Sequence, residues 1–574
     1  MFALKRCYNE HMNDDSKNID LGAIRSFFKG DVEQGEAVLD QYSHDTSLFV
    51  VKPALVTFPK NEEDVAGLVR YVNEENKKNE DTKNGKPKLS LAARCAGTDM
   101  TGGPLTSSIV VEFVKYFNKL IKIEGEEAVV EPGMFYRNFD KETLKQGLIL
   151  PSYTASREIN TVGGMAANNS GGEKNLKYGK TERYVHKLRV VLDDGSIEEF
   201  GELTLAELEE KKKAMTRAGE VYRSMHELIE KNYELLKSAK PNVSKNSSGY
   251  YLWNVYDKER GTFDLSKMIV GSQGTLGIIT QITYGLVKPK PYRRMVTIFL
   301  KDLSSLGELV NHVLKHDPES FESYDDHTFS LAMRFFPQIA KRLKGSMFTL
   351  GLSFLPEFWS VLTGGIPKLI LLAEFSDDTE EAVVERAQEA AKDIVDAFHV
   401  PTRVLHSEAE AQKYWVIRRE SFSLLRQNIH GMRTAPFIDD FVVRPEFLPE
   451  FLPKLNAILA KYNLIYTIAG HVGDGNFHII PLMDLSLPRS KEIIDTLSKE
   501  VYELVFSYHG VITGEHNDGI IRTPYLEEEF GPEVYKLFVE AKNIFDPNNI
   551  FNPGKKVGGT LEYAMAHIDT SKAA

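Results

Sequence analysis

Two imidazoles, a carboxylate and a further imidazole gather in one part of this sequence: His471-Val-Gly-Asp-Gly-Asn-Phe-His478 and, 37 residues on, Glu515-His516 within Thr-Gly-Glu-His-Asn-Asp-Gly. Two imidazoles with one carboxylate are a ligand set that borderline divalent metals take in catalytic sites, leaving positions open for water or substrate. A fourth titratable group then stands beside them. Asp474-Gly475 reads as a tight turn from which two rings could converge. Glu515 and His516 are adjacent, so in a strand they would face opposite ways, and both serve one site only if the chain there is a loop. The same residues also fit a plainer arrangement, surface histidines beside a hairpin.

Three glycine-rich stretches lie upstream: Cys95-Ala-Gly-Thr-Asp-Met-Thr-Gly-Gly-Pro104, Thr161-Val-Gly-Gly-Met-Ala-Ala-Asn-Asn-Ser-Gly-Gly172 and Gly271-Ser-Gln-Gly-Thr-Leu-Gly-Ile-Ile-Thr280. Several such loops in one strand-rich region suit a large anionic ligand, because backbone N–H groups can approach it only where no Cβ intervenes. A dinucleotide pyrophosphate fits that demand. No Gly-x-Gly-x-x-Gly opens a helix and no Gly-Lys-Ser/Thr closes a Gly-x-x-x-x-Gly loop, so neither a Rossmann fingerprint nor a nucleoside triphosphate loop is supported.

The elements that must hold these loops are legible from periodicity. Ala54 to Pro59 is a short apolar run, and Glu63 to Val72 has helical spacing with Val65, Leu68, Val69 and Val72 on one face. Lys77 to Lys88 reads as a solvated connection. Strands are expected at Leu89–Ala93, Ile109–Phe113, Ile121–Glu124, Ala128–Val130, Leu188–Leu192 and Ile197–Phe200, the last two joined by a turn at Asp194-Gly195. Pro289 and Pro291, flanked by lysines, mark a boundary after about residue 288. Beyond it, Leu369–Phe375 reads as a strand, Thr379–Phe398 as a helix, and Phe441–Val443 and Thr467–Ala469 as strands of an antiparallel sheet. The expected fold class is α+β, with an N-terminal segment 1–46, a cofactor domain 47–288 and a second α+β domain 289–574.

The chain has 574 residues and a formal charge of −12, which argues against nucleic acid as a partner. Cys7 and Cys95 are its two cysteines, too few for a disulfide framework or a four-thiolate iron–sulfur cluster. Its start lacks the apolar core of a secretory signal, so a cytoplasmic protein is expected. No run of apolar residues is long enough to span a bilayer. The aromatic stretch from Met347 to Leu362 is expected to serve domain packing; peripheral contact at the inner face of a membrane and a homodimer both stay open.

Arg94-Cys-Ala-Gly-Thr-Asp-Met-Thr-Gly-Gly103, Pro151 through Gly172 and Gly274-Thr-Leu-Gly-Ile-Ile-Thr280 resemble the FAD-binding, PCMH-type domain of the vanillyl-alcohol-oxidase superfamily. His471 to His478, Gly514-Glu515-His516 and the Asn-Pro-Gly ending resemble its FAD-linked oxidase C-terminal domain, as in D-lactate and D-2-hydroxyglutarate dehydrogenases. The matches span roughly residues 40 to 556 in the family's order. The resemblance implies a PCMH-type FAD domain followed by an α+β cap over the substrate, with FAD held non-covalently by Arg94, Ala96, Gly97, Thr98, Asp99, Pro151, Asn160, Gly163, Gly164, Asn168, Gly171, Ile278 and Ile279. It further implies zinc or manganese on His471, His478 and Glu515, His516 as general base, and Arg418, at the Trp-x-x-Arg position, gripping the substrate carboxylate. The implied reaction is oxidation of a D-2-hydroxy acid by hydride transfer to flavin N5.

Tyr250 or Tyr251 resembles a tyrosine lining related sites. Ile438 stands where a lysine is expected in the 2-hydroxyglutarate enzymes, so a second carboxylate is not evidently provided for. With two cysteines, electrons are expected to leave to a separate acceptor: an iron–sulfur protein, an electron-transfer flavoprotein or a quinone. Three competing readings are an alkylglycerone-phosphate synthase-like FAD transferase, the flavin subunit of an electron-transfer complex, and a hydrolase using a zinc-bound water.

Overall fold

In the computed structural model, residues 19–82, 87–326, 328, 366–428 and 431–571 are described. The aromatic stretch from Met347 to Leu362 and Cys7 lie outside them. Strands β1 (Asp31–Glu33), β2 (Leu55–Phe58), β3 (Leu91–Arg94) and β4 (Ile109–Glu112) form a sheet in the order β1-β2-β4-β3, parallel among the last three. The buried faces of β2 and β4 leave no polar alternation, as expected of parallel strands covered on both sides. Helix α1 (Glu62–Thr82) covers this sheet, with Glu62, Glu63 and Asp64 at its positive N-terminal end. It runs on through Lys77–Thr82, where a connection was expected. Glu, Lys and Asn prolong a solvated helix at little cost, and Lys78 pairs with Glu75 at 2.7 Å.

β5 (Leu120–Glu124), β6 (Glu127–Val130), β7 (Val185–Val191), β8 (Ile197–Gly201) and β12 (Ile278–Gly285) form an antiparallel sheet in the order β5-β6-β12-β7-β8. Three short strands, β9 (Leu203–Thr204), β10 (Tyr256–Asp257) and β11 (Thr262–Phe263), make a satellite ribbon, and helix α2 (Arg217–Lys231) buries Val221, Tyr222 and Met225 in the core of the five-stranded sheet.

The second domain is built on one large antiparallel sheet in the order β16-β13-β15-β14-β19-β20-β17, with β18 also pairing with β20. These are β13 (Tyr292–Leu300), β14 (Ser320–Asp325), β15 (Leu369–Asp377), β16 (Thr402–Val404), β17 (Arg433–Thr434), β18 (Phe441–Val442), β19 (Ile465–His471) and β20 (Asn476–Met483). Because side chains alternate along a strand, each residue's register decides which face it joins. Phe321, Leu371, Ala373, Phe375, Phe477 and Ile479 form one face and enter the core beneath α3 (Leu306–Leu314) and α4 (Glu380–Phe398). α4 is capped by Thr379 and buries Val383, Ala387, Ala390 and Ile394 there; each such aliphatic side chain larger than alanine contributes about 1.5–3 kcal/mol. The opposite face buries a smaller apolar cluster, including Met295, Tyr324, Ile370, Leu372 and Trp415, and beside it carries the polar residues of the site.

The chain's last part returns to the first domain. Helix α6 (Leu526–Phe545) places Val534, Leu537, Phe538, Ala541 and Phe545 in the core of the β5–β8 and β12 sheet, and Ile550 and Phe551 join that of the parallel sheet. The Asn-Pro-Gly ending then braces the first glycine loop: Asn552 Nδ2 donates to Gly103 O and Gln273 O, both at 2.8 Å.

Candidate active site

His471 ends β19 and His478 lies in β20, joined by a turn in which Gly475 has φ +67°. A Cβ there would stand 1.8 Å from Val443 O, so the position demands glycine on both counts. His471 pairs across the ladder with Asn476, two residues before His478, so both imidazoles share one sheet face. Their ring centroids are 5.3 Å apart. Ser323 pairs with Gly470, which sets Glu322 of β14 beside His471 on that same face. His471 Nδ1 lies 2.6 Å from Glu322 Oε1.

Glu515 and His516 sit in a loop, which lets adjacent side chains serve one site. Buried Asp440, itself at φ +73°, organises that loop. Its Oδ2 accepts from Thr513 Oγ1 (2.6 Å), Glu515 N (2.9 Å) and His516 N (2.7 Å). Its neighbour Asp439 takes both remaining imidazoles, at 3.0 Å from His478 Nδ1 and 2.6 Å from His516 Nδ1. Arg522, fully buried, donates to Asp439 O and Asn517 O and closes the loop from behind.

All three histidines thus have a carboxylate at Nδ1 and turn Nε2 toward Glu515 Oε1, at 3.2 Å for His471, 3.5 Å for His478 and 3.8 Å for His516. Ligand atoms bound tetrahedrally at about 2.1 Å stand about 3.4 Å apart, so these separations match the edges of a zinc-like coordination shell. Carboxylates at Nδ1 are the usual outer partners of metal-binding histidines, fixing the tautomer that leaves Nε2 as donor. The donor set therefore fits a divalent metal. His516 and Asp440 also fall in one cluster with His478 and Glu515, their donor atoms within 4.8 Å of one another.

The electrostatics follow from this crowding. Burial opposes ionisation, yet Lys245 and His471 hold the Glu515 carboxyl well below its usual range. Burial likewise opposes charge on His516, but Asp440 and Asp439 outweigh it and lift the imidazole to about 10. Lys245, fully buried, comes from the first domain, with Nζ 3.0 Å from Glu515 Oε2 and 3.1 Å from Asn476 Oδ1. Nothing in the motif pattern pointed to Lys245, Glu322, Asp439 or Asp440 as a group. The available signals were charged residues in otherwise apolar runs, Phe321-Glu-Ser-Tyr324 and Phe437-Ile-Asp-Asp-Phe441.

A cavity of about 470 Å³ reaches this cluster from the first domain. Its wall holds Arg94, Ala96, Gly97, Thr98, Asp99, Asn160, Gly163, Gly164, Asn168, Gly171 and Ile279 of the expected cofactor residues, and it ends at Glu515 and His516. Pro151 and Ile278 are not in the wall; Ile278 points into the core, since alternation along β12 turns Ile279 to the cavity instead. Among the described residues, none of the backbone N–H groups of Ala96 to Met100 has a protein acceptor, the condition of a nest that takes an anion. Asn160 Oδ1 is likewise buried without a partner. A Cβ on Gly163 would meet Pro132 Cβ at 2.4 Å, and one on Gly171 would come 3.4 Å from Glu515 Oε2. The residues fit a long, phosphate-bearing cofactor reaching the histidine cluster. Burial pushes the Cys95 thiol up to about 12, far from the thiolate needed for covalent attachment.

The structure separates two adjacent arginines of α5 (Glu408–Asn428). Arg418 pairs with Glu322 behind His471 and is absent from the cavity wall. Arg419 is in the wall, forked onto Glu173 at 2.5 and 3.2 Å. Tyr250 and Tyr251 pack in the core, Tyr250 on Thr275 Oγ1 at 2.6 Å. Ile438 is wholly buried in the second domain's core.

Residues 53–201 match the FAD binding domain family and residues 289–556 the family of FAD linked oxidases, C-terminal domain. D-2-hydroxyglutarate dehydrogenase of Pseudomonas putida is 28% identical, the alignment covering 93% of this chain and 51% of that protein. D-lactate dehydrogenase of Archaeoglobus fulgidus is 26% identical over 90% of this chain and 96% of its own. The chain spans about half the length of several of the hydroxyglutarate dehydrogenases it matches. The structure of 4-ethylphenol oxidase from Gulosibacter chungangensis superposes with a TM-score of 0.63 at 15% identity, covering 97% of this chain and 98% of that one. That likeness establishes the two-domain α+β fold.

Proposed function

Because the chain belongs to the FAD-linked oxidases, carrying their FAD-binding and C-terminal domains in order, we propose that it oxidises a D-2-hydroxy acid of the D-lactate or D-2-hydroxyglutarate class to the 2-oxo acid. The observation that carries this reading is the continuous cavity running from the glycine loops to Glu515 and His516. When bound, FAD supplies the hydride acceptor, N5, and zinc or manganese the Lewis acid that acidifies the substrate hydroxyl.

The protein's own groups do the rest. His471, His478 and Glu515 hold the metal, with Glu322 and Asp439 fixing the ring tautomers. His516 Nε2 would take the hydroxyl proton once the charge of a bound metal has lowered the imidazole from the protonated state that Asp440 and Asp439 favour, and Asp439 at Nδ1 would stabilise the imidazolium that results. Arg419, rather than Arg418, presents a guanidinium to the substrate carboxylate, oriented by Glu173. With Ile438 in the core, a second carboxylate would need a cation from elsewhere. Lys245 and Gly171 bring the first domain against Glu515, closing the reacting centre between the domains.

Two cysteines cannot build a four-thiolate cluster, so the electrons taken from the substrate would leave to an acceptor not made by these residues: an iron–sulfur protein, an electron-transfer flavoprotein or a quinone. No helix among the described residues is long and apolar enough to cross a membrane. Anaerobic reduction of the bound flavin by D- but not L-hydroxy acids tests the reaction class. Metal analysis of the His471→Ala and Glu515→Gln variants tests the ligand assignment.

A further inference from the structure

We propose a second divalent-metal site, remote in sequence from the first, formed by His312, His316 and Asp393 on the outer side of the second domain. His312 is in the last turn of α3, His316 in the turn that follows it, and Asp393 is on α4. Their three donor atoms lie within 4.8 Å of one another. His312 Nε2 stands 2.6 Å and His316 Nε2 2.8 Å from the same oxygen, Asp393 Oδ2.

Two imidazole nitrogens aimed at one carboxylate oxygen are the donor set of a borderline divalent ion such as Zn²⁺, Co²⁺ or Ni²⁺, with water completing the shell. A bound ion would replace the two Nε2 protons that now point at Asp393. The side chains are partly exposed, about a fifth for each histidine and 44% for the aspartate, so an ion can enter.

The frame is rigid on both sides. Leu309, Val310 and Val313 of α3 and Ala390 and Ile394 of α4 are buried beneath the three donors. Arg386, also on α4, donates to His316 O at 3.2 Å and Asp317 O at 2.9 Å, pinning the turn that carries His316 to the helix that carries Asp393. Position at a helix C-terminus, where carbonyls point outward, favours a cation further. The ion would clamp α3 to α4 across the outside of the core, and nothing connects it with the hydroxy-acid chemistry.

Chelator-stripped flavoprotein is titrated with Zn²⁺ against a chromophoric competitor, for the native chain, His312→Ala/His316→Ala, Asp393→Asn and His471→Ala/His478→Ala. The expected result is one equivalent fewer in each of the first two variants than in the native chain, and an equivalent retained by the last that raises its melting temperature. Co²⁺ spectra of the native chain and the His312→Ala/His316→Ala variant give the same count should the last variant fail to fold. Equal zinc stoichiometry and affinity with and without His312 and His316 would overturn the site. Loss of binding only in the His471→Ala/His478→Ala variant would do the same while leaving the first site standing.

Discussion

Lys245 Nζ lies 3.0 Å from Oε2 of Glu515, the carboxylate whose Oε1 faces three imidazole Nε2 atoms. One oxygen is held by a lysine from the first domain and the other faces the imidazoles, so on the proposed assignment Glu515 would offer a metal one oxygen. Lys245→Met should weaken metal affinity by about 10- to 100-fold, the usual loss for an outer partner of a ligand. Flavin content should stay unchanged. Metal affinity and turnover equal to the native chain's would remove Lys245 from the site.

His516 differs from the other two histidines in standing farthest from Glu515 Oε1, at 3.8 Å. As proton acceptor it should be separable from metal retention. His516→Gln is expected to keep metal and flavin but lower kcat by about 10²–10⁴-fold. Metal loss in this variant, measured by elemental analysis, would make His516 a ligand instead.

The adjacent arginines should part in kinetics. Arg419→Lys keeps the charge but loses the fork, and KM for the hydroxy acid should rise about tenfold with kcat little changed. Arg418→Lys acts behind His471 through Glu322, so it should alter metal affinity and leave KM within about twofold. The reverse pattern would return the substrate carboxylate to Arg418.

Asp45 braces the first glycine loop by accepting from Gly102 N at 3.1 Å. Burial, with Asp99 adding to it, raises its carboxyl to about 7, against about 3.9 in the unfolded chain. The native state therefore keeps a proton that the unfolded state has lost: there is no penalty below pH 4, and stability falls as pH rises through 7. Asp45→Asn removes the charge, so its stability advantage over the native flavoprotein should be small at pH 5. By pH 8 it should reach about 2 kcal/mol, roughly half the full shift because the side chain is partly exposed. Denaturant melts of both proteins at the two pH values measure it; an advantage that does not grow with pH would contradict the assignment.

The parts of the site carried by local spacing could be read in the sequence, and the parts carried by strand register could not. The β19–β20 turn is encoded by Asp474-Gly475, and the cradle by glycines whose Cβ would strike backbone. Glu322 reaches His471 only because β14 pairs with β19, and Lys245 reaches Glu515 only because the two domains meet there. The helical pattern of α6 shows an apolar face without naming its partner, so the return of residues 526–557 to the first domain was invisible. The solvated end of α1 carries no apolar signal at all, and helix propensity alone continues it. Arg418 and Arg419 are adjacent on one helix and so point about 100° apart, a difference that a motif match does not resolve.

The most direct measurement is the visible spectrum of the purified protein under anaerobic conditions during addition of D-lactate, D-2-hydroxyglutarate and their L enantiomers, with and without chelator. The expected result is loss of the flavin band with one D acid, no change with its mirror image, and abolition by chelator that added zinc or manganese reverses. A protein with no flavin band, or a band that none of these acids bleaches in the metal-loaded state, would contradict the proposed reaction.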